Sequence, residues 1–140
     1  MTEEQKELLL KDISSRLPYG VKISIDDDFP IVLNQISYSD GYVGKNNECY
    51  SLDHFVIKPY LFPLSSMTDE QLSYMHFNTK FNIDRFGTIT PKIDEDDFPI
   101  YVDMEDWILL YGWLNKNHFD YRGLIEKGLA IDATGLNNIY

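Results

Sequence analysis

Between Val102 and Leu114 the chain carries a complete helix signal, and this segment constrains the fold more than any other. Asp103 is placed to cap the first turn, Asp106 stands three residues on, and Val102 with Trp107 forms a hydrophobic staple. Trp107, Leu110, Tyr111 and Leu114 share one face, and Ile108, Leu109 and Trp113 widen it. A helix apolar over so much of its circumference is expected to pack on more than one side. Gly112 costs about 1 kcal/mol against Ala in a helix interior. It therefore reads as a point where a neighbour approaches closely. The apolar run is far short of the roughly 20 residues that a membrane span needs.

Two further helices are signalled. Thr2 and Gln5 form a capping box ahead of Leu9, Leu10, Ile13 and Leu17, and Pro18 and Gly20 end that helix. Thr68 and Gln71 repeat the box, with Met67 and Leu72 as staple, for a short helix to about Phe77. A fourth helix is expected after Asp120, with Phe119 and Leu124 as staple and Gly128 past its end. Strands are expected at Val21–Ile25, at Phe29–Ile36, around Phe55–Ile57, within Phe86–Ile93 and at Ile100–Val102. Asp40-Gly41 and Gly44–Asn47 read as turns. Lys58–Pro63, with its two prolines, is expected to be extended and irregular, the preceding strand stopping near Pro59.

Helices at both ends with strands between give an α+β fold. An antiparallel sheet of about four to six strands would be packed by an N-terminal helix and a C-terminal helical pair. That pair would pack through Trp107, Leu110, Tyr111, Leu114, Leu124 and Ile125. The 140 residues read as one domain, with 132–140 a flexible tail unless Ile139 and Tyr140 dock.

Charge narrows the function. The formal net charge is −11, and between Ile93 and Trp107 there are seven acids and no base. Such a field repels phosphate backbones, so direct nucleic-acid binding is not expected, while a basic protein partner is attracted. One cysteine, Cys49, cannot form an intramolecular disulfide and reads as a buried or half-buried thiol. No basic and apolar leader is visible, which predicts a soluble, cytoplasmic protein without a membrane segment. No zinc spacing, glycine-rich phosphate loop or nucleophile elbow occurs, so neither a metal site nor a cofactor is expected.

Two acidic stretches echo each other. Asp26-Asp27-Asp28 and Asp94-Glu95-Asp96-Asp97 each follow an isoleucine and lead into Phe-Pro-Ile. They read either as solvated turns or as a joint patch for a cation or basic partner, although the first lacks EF-hand ligand spacing. A second group is His118, Asp120 and Arg122, which an extended chain would place on one side. A His beside a carboxylate can exchange protons. Asp120 also suits a cap, however, and Arg122 in a first helical turn needs a specific acid or an external anion as partner. The tyrosines, ten in all, suit half-buried strands as well as interfaces, with Tyr60 in the proline segment the best exposed candidate.

Three stretches carry a resemblance: Leu17-Pro18-Tyr19-Gly20-Val21, then Lys58 through Thr68, then Trp113 through Ala130, about 34 residues of the 140. On these the chain resembles an uncharacterised family of small acidic proteins from gut bacteria and their phages or mobile elements. The resemblance implies an origin and lends no residue a catalytic role.

Three functions follow as expectations. The first is a non-enzymatic interaction or accessory protein whose acidic surface meets a protein partner. The second is a small enzyme with its site near His118, Asp120 and Arg122. The third is an acidic nucleic-acid mimic that occupies a DNA-binding protein.

Overall fold

A computed structural model describes residues 1–84 and 86–140. In chain order its elements are α1 (Glu3–Arg16), β1 (Lys22–Ile25), β2 (Ile31–Val32), β3 (Gln35–Ser37), β4 (Tyr42–Lys45), β5 (Glu48–Ser51), β6 (Ile57–Pro63), α2 (Asp69–Asn78), β7 (Phe81–Ile83), β8 (Ile89–Pro91), α3 (Met104–Lys116), β9 (Phe119–Asp120) and β10 (Ile131–Asp132). The fold is α+β. α1, α2 and α3 begin where their capping residues stand. Thr2, Thr68 and Asp103 each accept from the backbone N–H three residues on, and the side chain there returns a bond to the cap.

The strands divide among a five-stranded sheet, a three-stranded meander of β3, β4 and β5, and the hairpin of β7 and β8. β6 is the centre of the first. It pairs antiparallel with β1, and parallel with both β9 and β10. Backbone groups alternate sides along a strand. The N–H of Phe62 donates to His118 on one edge, and the carbonyl of Leu61 accepts from Ala133 on the other. The N–H of Asp26 donates to the carbonyl of Val56, which shares the edge of Phe62. β1 and β9 therefore lie end to end along one edge of β6, with β10 on the opposite edge.

This arrangement corrects the reading of Lys58–Pro63. β6 does not stop at Pro59; it runs through both prolines. Pro59 and Pro63 share the edge of Leu61, where β10 pairs through only two residues, so their missing N–H groups interrupt no ladder. Tyr60 is correspondingly not an exposed contact residue but 8% exposed on the central strand.

Other differences have local causes. The stretch Phe29–Ile36 is two strands, because Leu33 turns into the core and the Asn34 side chain is tied to Asn46. Ile100–Val102 forms no strand; pairing there is limited to the bridge of Ile93 with Pro99. The fourth helix is absent. Gly123 adopts φ +73°, which breaks the helical ladder at what would be its third residue. The carboxylate of Asp120 instead accepts from the N–H groups of Leu124 and Ile125, each at 2.9 Å, and holds a run of turns. Cys49 is exposed on β5.

Among the described residues three apolar clusters result. Leu9, Leu10 and Ile13 of α1 pack with Val21, Ile23, Leu33, Val43 and Ile57. Leu110 and Leu114 of α3 pack with Met75, Phe81 and Phe119. Leu124 joins Leu61, Leu129 and Ala130 rather than the α3 cluster. Among the described residues no helix is long and apolar enough to cross a membrane.

Candidate functional site

The stripe of α1 that enters the core is not wholly apolar. Asp12 and Arg16, three and seven residues after Leu9, lie on the same face and are both fully buried. Arg16 grips Asp12 with two bonds, Nε to Oδ2 at 2.9 Å and Nη2 to Oδ1 at 3.1 Å. Arg122 adds a third from Nη1 to Oδ1 at 2.8 Å, and the same nitrogen reaches Ser15. Arg16 also donates from Nη2 to the carbonyl of Phe119 at 2.6 Å. Both guanidinium groups lie over the ring of Tyr121, 5.3 and 4.6 Å from its centroid. One buried carboxylate thus holds two cations, and the negative face of the Tyr121 ring attracts both guanidinium groups. Arg122 has found its acid inside the protein. This centre has a sequence signal: an acid and a base, four apart, interrupt an otherwise apolar helical stripe.

His118, Asp120 and Arg122 engage separate partners. Asp120 is occupied by the two backbone N–H groups of the turn that follows, and Arg122 by Asp12. The ring of His118 stacks on Tyr140, with centroids 3.5 Å apart and planes 11° from parallel. Burial lowers the His118 pKa to about 4, aided by the positive charges of Arg16 and Lys22, so the ring is neutral at pH 7. A cleft of about 540 Å³ is lined by His118 and Tyr140 together with Ser66, Thr68, Gln71 and Thr134.

The acidic stretches lie on different elements. Asp26, Asp27 and Asp28 make the turn from β1 to β2, with Asp26 and Asp27 at positive φ. The Asp26 carboxylate accepts from the N–H of Val56 at 2.7 Å. Asp94, Glu95, Asp96 and Asp97 form the tip of a hairpin closed by Ile93 and Pro99. There the Asp94 carboxylate accepts from the N–H groups of Asp96 and Phe98. Asp26 ties its turn to the start of β6, Asp94 shapes its own turn, and Glu95, Asp96 and Asp97 remain exposed on the second. Among the described residues no group of three His, Cys, Asp or Glu side chains is placed to hold a metal ion.

The chain leads from this hairpin directly into α3, where expectation and structure part. Among the described residues the first turns of α3 are covered on one side, and cover on the other begins at Gly112 and Asn115. Met104, Ile108 and Leu109 are 77%, 62% and 64% exposed, and Glu105 stands among them. Asp106, at the edge of this face, accepts from the N–H of Asp103 and is bonded to Lys80, and these, the first above all, hold its pKa below the usual carboxylate range. Gly112 does not admit a close neighbour from within the molecule. A Cβ built on it would meet only the hydroxyl of Tyr19, at 3.9 Å. An apolar helix face bordered by carboxylates can bury hydrocarbon and attract cations at once.

Comparison with family models, with curated proteins and with solved structures finds no match in any of the three.

Proposed function

We propose that the chain is a non-enzymatic interaction protein whose acidic surface receives a basic protein partner. One observation carries this reading: the uncovered face of α3, with Met104, Ile108 and Leu109 exposed, lies next in sequence to the acidic hairpin tip and contains Glu105. Exposed apolar groups of this size are costly to leave in water, at roughly 25 cal/mol for each Å². Clustered on one helix face, they mark a contact surface. The separate engagements of His118, Asp120 and Arg122 favour this reading over an acid–base site at those residues.

The test is a pull-down from the native host with the chain and with a variant carrying Glu95→Gln, Asp96→Asn, Asp97→Asn and Glu105→Gln. The expected result is a basic protein retained by the first, released by salt and lost from the second. Equal recovery by both, or nothing reproducible from either, would refute the proposal.

A further inference from the structure

Gly112 poses a question that the interior of the fold does not answer. Glycine in the third turn of a 13-residue helix lowers its stability, yet no neighbour among the described residues requires the missing methyl. On a helical projection Gly112 falls in line with Ile108 and beside Leu109, half-exposed at the point where the open face meets Tyr19 and the buried Asn115. The distance between two packed helix axes, typically about 8–10 Å, is set by the side chains at their crossing. A glycine there permits the near end of that range.

We propose, resting on the reading above, that the occupant of this face is a basic amphipathic helix of the partner that crosses α3 at Gly112. Its apolar stripe would cover Met104, Ile108 and Leu109, and its cations would meet Glu105 and the carboxylates of the Glu95–Asp97 tip. The charge argues against a second copy of this chain. Two such faces would bring together two stretches of seven acids without a base between Ile93 and Trp107, and like-charge juxtaposition suppresses association.

The probe is a synthetic helix of about 20 residues built from leucine and lysine, with its scrambled isomer as control. Binding is read by amide shifts on the isotopically labelled chain. The expected result is tighter binding of the patterned peptide, with shifts on residues 104–112. Ile108→Asp should weaken that binding by about tenfold or more, even though it adds an attractive charge. Gly112→Ala should weaken it severalfold while raising the thermal midpoint, opposite signs that a purely structural glycine would not give.

Equal binding of both peptides, with shifts confined to residues 94–97, would overturn the helix docking and leave the acidic-surface reading standing. Binding of neither would overturn both. Sedimentation of the chain as a dimer that Ile108→Asp dissociates would assign the face to a second copy and overturn the basic occupant.

Discussion

The hydroxyl of Tyr140 donates to the carbonyl of Tyr60 across 80 residues of sequence, at 2.8 Å. The same oxygen accepts from the N–H of Lys22 at 2.9 Å. β1 and β9 lie end to end along one edge of β6, and Tyr140 fills the gap between them with one side-chain oxygen where a strand would have offered backbone. Tyr140→Phe keeps the ring stacked on His118 and leaves both backbone groups without this partner. It should cost about 1–2 kcal/mol, measured as a lower urea midpoint with unchanged slope. An unchanged midpoint would show that water replaces the hydroxyl without loss.

Among the described residues Asp12 is the one anion paired with both Arg16 and Arg122. Asp12→Asn removes the charge and retains the shape, so Arg16 stays buried without a counter-ion. Breaking a buried pair in this way costs about 3–5 kcal/mol. Arg122→Ala should cost less, because Arg16 still holds Asp12 and the Arg122 side chain is 18% exposed. Chemical denaturation of the two variants side by side checks the order.

His118 makes stability depend on pH in a stated direction. Its folded pKa, about 4, lies below the ordinary 6.5, so protons bind the unfolded chain first as pH falls. The contribution is complete above about pH 6.5 and is lost between there and pH 4, with a slope of at most about 1.4 kcal/mol per unit. His118→Asn tolerates the positive φ at this position and carries no titrating ring. Urea midpoints between pH 7.5 and 4.5 should fall less steeply for the variant; parallel curves would contradict the assignment. At the other extreme, burial raises Tyr140 to about 12, so stability should also decline as pH rises from 10 toward that value.

Two glycines should respond to alanine with opposite signs. At Gly112 the backbone is helical and a methyl meets nothing closer than 3.9 Å, so Gly112→Ala should stabilise by about 1 kcal/mol. At Gly123 there is also room, but φ is +73°, and Gly123→Ala should destabilise by about 1–2 kcal/mol. Thermal melts of both variants read the two signs directly.

The legible parts of the fold were those in which a few adjacent residues decide the outcome. The caps at Thr2, Thr68 and Asp103 are of this kind, each closing within one turn. Asp120 misled for the same reason. It has the composition of a cap, but Gly123 and the burial of Leu124 against Leu61 turn its carboxylate to a series of turns instead. β6 was illegible because proline rules depend on which edge a nitrogen faces, and that edge is set by β10, some 70 residues later. At the candidate site, the acidic hairpin and the apolar width of α3 could be read from sequence. That Ile108 and Leu109 remain uncovered could not, since helical periodicity marks a face as apolar without naming what lies against it.

The bonds of Arg16 to Phe119, Asp12 to Arg122 and Lys22 to Tyr140 span 103, 110 and 118 positions. Ordering such distant segments together requires long loops to close before their contacts can form, which slows folding. Neither half of the molecule, expressed by itself, would possess a finished middle strand. Mixing the two fragments should therefore restore structure that each lacks alone, which makes the protein a natural candidate for split-reporter complementation.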